Sequence, residues 1–182
     1  AYLLEHDHFL AGLGVIGWLV AFAAHVWILH VSDDDKSRPL TVAHGWGALF
    51  FVGLLAIEVS WQLGQLIYND VWSGSAGLLV LAAGAFALLF ERRERRWPFT
   101  KHFDAYFVAS LLLATIYVLL VVGVSINDPG NPAPLPYIPI LNPLDVLSIT
   151  AVLLAWYGIR LQGTNERFGV AADSHAPKIA LA

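Results

Sequence analysis

The chain has 182 residues, of which 58% are hydrophobic and 13% charged, with a formal net charge of −4 and neither cysteine nor methionine. So little polar material cannot cover a soluble domain, and the lack of cysteine excludes disulfides, thiolate catalysis and cysteine-ligated zinc or iron–sulfur centres. The charge sits almost wholly between long apolar runs, so it describes loops, and no nucleic-acid partner is expected.

A helix that crosses a bilayer needs roughly 20 mainly apolar residues. Five stretches meet that requirement, at about 9–30, 41–66, 71–90, 105–126 and 143–161, so the expected fold is an all-α, polytopic transmembrane bundle forming a single domain. Ahead of the first span, His6 and His8 form a His-x-His pair beside Glu5 and Asp7, but two ligands do not make a metal site. The span lacks a basic leading segment and a small-residue cleavage site, which argues against a signal peptide. Gly12, Gly14 and Gly17 spell GxGxxG, yet no strand precedes them; small residues for close helix packing is the better reading. His25 and His44, near corresponding ends of the first two spans, are read as interfacial or hydrogen-bonded histidines rather than haem ligands, and no cofactor is expected.

The second span carries the densest polar pattern. His44, Glu58 and Gln65 recur at multiples of seven and Gln62 follows Glu58 by four, so all four fall near one helix face. An ionisable residue within a span costs about 2.5–3.5 kcal/mol, which makes Glu58 the chief candidate for function or for specific packing. A turn at Tyr68-Asn69-Asp70 leads to the third span, and the run Glu91-Arg92-Arg93-Glu94-Arg95-Arg96 after it reads as a topology anchor with its own ion pairs. Tyr106, Ser110 and Tyr117 align on the fourth span and form a second polar seam that could face the first. At its expected depth Glu58 should face the bundle, with Tyr117, Ser148, Thr150 or a bridging water as partner. Trp27, Tyr68, Trp72, Trp97 and Trp156 lie near expected span ends, where amphipathic rings favour the interface.

Residues 127–142 form a proline-rich loop that should be extended and laid over one end of the bundle. At its end Asn142 suits an N-cap, Pro143 the first helical position, and Asp145 a first-turn acceptor for orphan N–H groups; Tyr137, Asn142 and Asp145 could together line an outer-face groove. Residues 162–182 read as a polar tail. All ten basic residues fall on one side of a five-span arrangement: Lys36 and Arg38; Arg92, Arg93, Arg95, Arg96 and Lys101; and Arg160, Arg167 and Lys178. Since basic residues accumulate in cytoplasmic loops, the N-terminus is expected outside and the C-terminus inside.

The segment PLPYIPILNPLD at residues 134–145 resembles an uncharacterised family of bacterial membrane proteins known as domain of unknown function 2339. The likeness extends to residues 44–61, where a histidine opens a span and Glu58 and Trp61 close it, and to Trp97-Pro98 ahead of Tyr106. Members are usually longer and carry more spans. The resemblance, with Ala1 in place of an initiating methionine, implies a portion of a larger chain in the bacterial cytoplasmic membrane, with lipids and further transmembrane helices of the same or another chain as partners. It implies no reaction.

No nucleophile elbow, P-loop or His-Glu-x-x-His helix is present. No catalytic residue and no metal site is therefore assigned. The leading expectation is a structural or assembly module of a larger envelope protein. A proton or solute path through Glu58 is the alternative, and an envelope-lipid or glycan enzyme with an outer-face site near Tyr137, Asn142 and Asp145 is the third.

Overall fold

The computed structural model describes residues 8, 10–33, 38–90, 97–99, 101–127, 130–134 and 136–163. They form five helices and, among the described residues, no strand: α1 (Gly14–Val31), α2 (Arg38–Ile67), α3 (Asp70–Phe90), α4 (Phe103–Asn127) and α5 (Pro143–Gly163). His6, the arginine-rich run at 91–96 and the tail from residue 164 lie outside the described residues. By length and composition α1 to α4 can each cross a membrane, whereas the apolar stretch of α5, Pro143–Gly158, is shorter. As a 21-residue helix α5 still extends about 32 Å.

The helices fall where the apolar runs place them, with one clear difference. The first begins at Gly14, not near residue 9, because Gly12 takes a left-handed φ of 52° and the chain from His8 to Gly14 closes short turns instead. The close packing expected of Gly17 is also not found. A Cβ on Gly17 would meet nothing within 4 Å, so Gly17 makes no close helix contact.

α3 is the central helix, packed against α2, α4 and α5, while α4 also touches α2 and α5. The shared core runs through Val52 and Ala56 of α2, Leu78, Leu81, Ala82 and Ala85 of α3, Leu113, Tyr117 and Val121 of α4, and Leu147 and Leu154 of α5. Alanines at the α3 crossings let the backbones approach, as helix association in lipid requires. α1 stands apart: it packs chiefly on α2, and Leu29 is its only buried residue. Trp18 and Phe22 meet Phe50 and Phe51 edge-on or tilted, with centroids 5.0 to 6.3 Å apart.

Side chains close the loop-bearing end. Asn69 caps α3 by accepting from the N–H groups of Val71 and Trp72 at 2.9 and 3.2 Å, and its amide donates to the carbonyl of Ala133 at 2.6 Å. The Trp72 indole N–H donates to the carbonyl of Pro132 at 3.0 Å. Asn142 caps α5 as its position suggested, accepting from the Leu144 N–H at 3.3 Å. Asp145 does not serve the first-turn N–H groups; it reaches back to accept from the N–H of Ile140 at 3.2 Å, a residue held at a φ of 75°. Gly130, at a φ of 73°, tucks under α5, where a Cβ would lie 2.7 Å from Leu144 Cδ1.

The α2–α3 crossing can be tested at one glycine. A Cβ on Gly77 would lie 2.8 Å from the Ala56 carbonyl oxygen and 3.0 Å from Ser60 Cβ, whereas Gly74, one turn away, has open space. Gly77→Leu should therefore destabilise the bundle by about 1–3 kcal/mol or more, with Gly74→Leu near neutral, in thermal unfolding of the purified protein in detergent. Equal melting temperatures for the two variants would contradict the crossing.

Candidate functional site

The polar side chains expected along one seam of α2 separate into two clusters. His44 and Glu58 are buried, and 14 positions at ~1.5 Å each set them about 21 Å apart along the helix. Between them α2 carries Gly45, Trp46, Gly47, Ala48, Leu49, Phe50, Phe51, Val52, Gly53, Leu54, Leu55, Ala56 and Ile57, among which the Trp46 indole N–H is the lone polar side-chain group. The core that packs on this stretch is apolar.

At the loop-bearing end Glu58 faces the bundle. His8 Nδ1 lies 3.1 Å from Glu58 Oε1, and the Gln62 amide donates to the same oxygen at 2.7 Å. The His8 ring stacks on Trp61 with centroids 3.8 Å apart. The expected partners Tyr117, Ser148 and Thr150 are engaged elsewhere: their hydroxyls donate to the carbonyls of Leu147, Leu144 and Val146, at 2.7, 2.8 and 2.7 Å. Ser148 and Thr150 satisfy themselves one turn back on their own helix, and Tyr117 spans to α5, so the partner of Glu58 comes from the segment before α1. Gln65 is exposed, and the seam extends only to Gln62. A cleft of about 210 Å³ between α1 and α2 reaches Glu58, but its other walls are Leu10, Val15, Trp18, Leu19, Phe22, Phe51, Leu54 and Leu55.

The opposite end, where α1 stops and α2 and α4 begin, gathers more chemistry. His44 Nδ1 and the Tyr106 hydroxyl share a hydrogen bond of 2.9 Å, which joins the two seams at this depth. The His102 ring stacks on His44 with centroids 3.9 Å apart, and His102 Nε2 pairs with Asp33 Oδ1 at 2.8 Å. Lys101 Nζ donates to Asp33 Oδ2 at 2.8 Å and also to the Asp33 carbonyl. Trp97 sets its ring edge-on to His30, centroids 4.8 Å apart. Hydrogen bonds from Lys101 and His102 hold the Asp33 carboxyl well below the usual carboxylate range. His25 is separate: its buried Nε2 packs against Gly47 without a hydrogen-bond partner, while His44 is held by α4.

Asn142 is buried in its cap, Asp145 is bonded to Ile140 and Tyr137 is exposed. Each is accounted for by the local fold of the loop. Of the side chains in these two clusters, the sequence singles out His44, Glu58, Gln62 and Tyr106 and does not point to Asp33 or His102. Nothing in linear order joins the acidic stretch after α1 to a histidine before α4.

Compared with known families, the whole of residues 1–182 matches the model described as Predicted membrane protein (DUF2339). The chain belongs to this family. No curated protein and no solved structure matches it. This DUF2339 chain therefore takes from its family a membrane location and no assigned activity.

The Glu58 cluster yields a direct test. Glu58→Ala removes the acceptor of both His8 and Gln62 and should cost roughly 0.6–1.7 kcal/mol, the range for polar contacts between helices in lipid. The loosening should appear as faster amide hydrogen exchange around residues 10–15. Glu58→Gln keeps an oxygen for Gln62 and should lose less. Unchanged exchange in both variants would remove Glu58 from the attachment of α1.

Proposed function

We propose that this chain is a membrane-embedded structural or assembly module of a larger envelope protein, set in the bacterial cytoplasmic membrane with its N-terminus outside and its C-terminus inside. The observation that carries this reading is the separation of the two polar clusters by a closed apolar core. A proton or solute path would need polar groups or broken helices near mid-membrane, because each unpaired charge there is costly. Here α2 is one continuous 30-residue helix, and its buried His44 and Glu58 bond to α4 and to the segment before α1. The outward faces of α1 and α4 are apolar, including Ile16, Leu19, Val20, Leu119 and Val122, and suit lipid or further transmembrane helices.

The orientation is supported by the described basic residues. Arg38 opens α2, Lys101 precedes α4 and Arg160 lies in the last turn of α5, which places all three at one end of the bundle. With no native cysteine, a Tyr137→Cys variant should react with an impermeant maleimide on intact cells or spheroplasts, and Ser32→Cys only after permeabilisation. The opposite pattern would reverse the orientation.

Reconstituted into vesicles carrying a pH gradient, the protein should leave proton leakage at the level of protein-free vesicles, and Glu58→Gln should not alter it. Leakage that depends on Glu58 would replace the assembly reading with the transport one.

A further inference from the structure

Three side chains able to ligate a metal converge from three segments: Asp33 just past α1, His44 in the second turn of α2, and His102 immediately before α4. One donor atom from each lies within 4.8 Å of the others. His44 is 1% exposed, and its Nε2 is buried without any hydrogen-bond partner. A polar atom left bare in a buried site is destabilising, unless something outside the chain's own hydrogen bonds engages it.

We propose that Asp33, His44 and His102 form a binding site for a divalent transition ion of the zinc class, with two imidazole nitrogens, one carboxylate oxygen and the remaining position left to water. The donor set suits a borderline ion rather than magnesium or calcium, which prefer all-oxygen shells. His44 is prepared for ligation: when its Nδ1–H donates to the Tyr106 oxygen, Nε2 carries the free lone pair, the arrangement by which an outer partner fixes a ligand's tautomer. His102 and Asp33 already meet at 2.8 Å.

A tetrahedral ion with bonds of ~2.0–2.2 Å needs donors roughly 3.4 Å apart. Binding thus draws His44 toward the other two donors by on the order of 1 Å, spreads the Asp33–His102 pair from its 2.8 Å contact, tilts His102 off the His44 ring, and replaces their hydrogen bond by two metal bonds, the Nε2 proton of His102 passing to its Nδ1 or to water. Lys101 opposes this, because its ammonium holds the second carboxylate oxygen of Asp33 at 2.8 Å. The site is therefore one in which a cation and the ion compete for a single carboxylate. The inference is independent of the assembly reading, since neither labelling nor vesicle leakage depends on it.

The test uses the full chain, purified in detergent, stripped with a chelator and titrated with Zn²⁺ by calorimetry, then with Co²⁺ by visible absorption. One ion per chain should bind, and cobalt should give the strong d–d bands of a four-coordinate nitrogen and oxygen site. His102→Ala and Asp33→Asn should each weaken binding by roughly a hundredfold or more, and Tyr106→Phe by about tenfold. Lys101→Gln should tighten it by about tenfold, by removing the competing charge. Asp33 is partly exposed and its asparagine variant is isosteric, so that arm remains decisive if a histidine variant does not fold. Absence of one-to-one binding, affinity unaffected by Asp33→Asn, or weaker binding in Lys101→Gln would each overturn the site.

Discussion

Hydrocarbon removes the force that ordinarily drives helices together, because an apolar side chain gains nothing by leaving lipid for the face of another helix. Helices in a bilayer are held by close packing and by the few polar contacts made between them. Within the tight group of α2 to α5, packing suffices: alanines of α3 fit against Val52, Leu113, Tyr117 and Leu147, and Gly77 brings the α2 backbone into contact. α1 has no such fit. Its described residues bury one leucine, and its mid-helix attachment is a set of aromatic edges. What fixes α1 is polar chemistry at its two ends.

Both histidine clusters have a place in that scheme. At one end His8 pairs with Glu58 and stacks on Trp61; at the other His30 meets Trp97 and Asp33 is bound by Lys101 and His102. Each cluster ties a segment flanking α1, or its last turn, to a helix of the tight group or to the chain leading into one. The contacts of Glu58 thus follow from topology. The carboxylate lies on the side of α2 that α1 covers, so its partner comes from the segment before α1, while the hydroxyls of α4 and α5 satisfy backbone carbonyls in the core.

Hydropathy made the helices legible, because apolar runs long enough to span a bilayer rarely occur in soluble domains and every backbone group within them must be bonded internally. The cap at Asn142 was legible for a local reason, since Asn-Pro at the head of an apolar run specifies geometry within four residues. Positions set by contacts distant in sequence were not legible. Glu58 and His8 lie 50 residues apart, and Asp33 and His102 lie 69 apart. Periodicity places a residue on a face of its helix and says nothing about which neighbour covers that face. Glycine misled for the same reason: Gly17 and Gly77 look equivalent in sequence, yet only Gly77 has a helix against it.

The contrast between the two ends bears on where chemistry can reside. Glu58 has its charge-bearing oxygens matched by His8 and Gln62, and the cleft beside it is walled by carbon, which leaves little for a ligand to gain. The His44 end has donors to spare: Asp33 is shared among several groups, His44 retains a bare nitrogen, and the His102 ring lies stacked beside it. A fully satisfied buried network resists change, whereas one with an unfilled acceptor or donor is held only until a better partner arrives. Since the backbone of α2 links both clusters through one uninterrupted helix, an ion drawn to His44 would act on the attachment of α1 at that end without a polar route through the core.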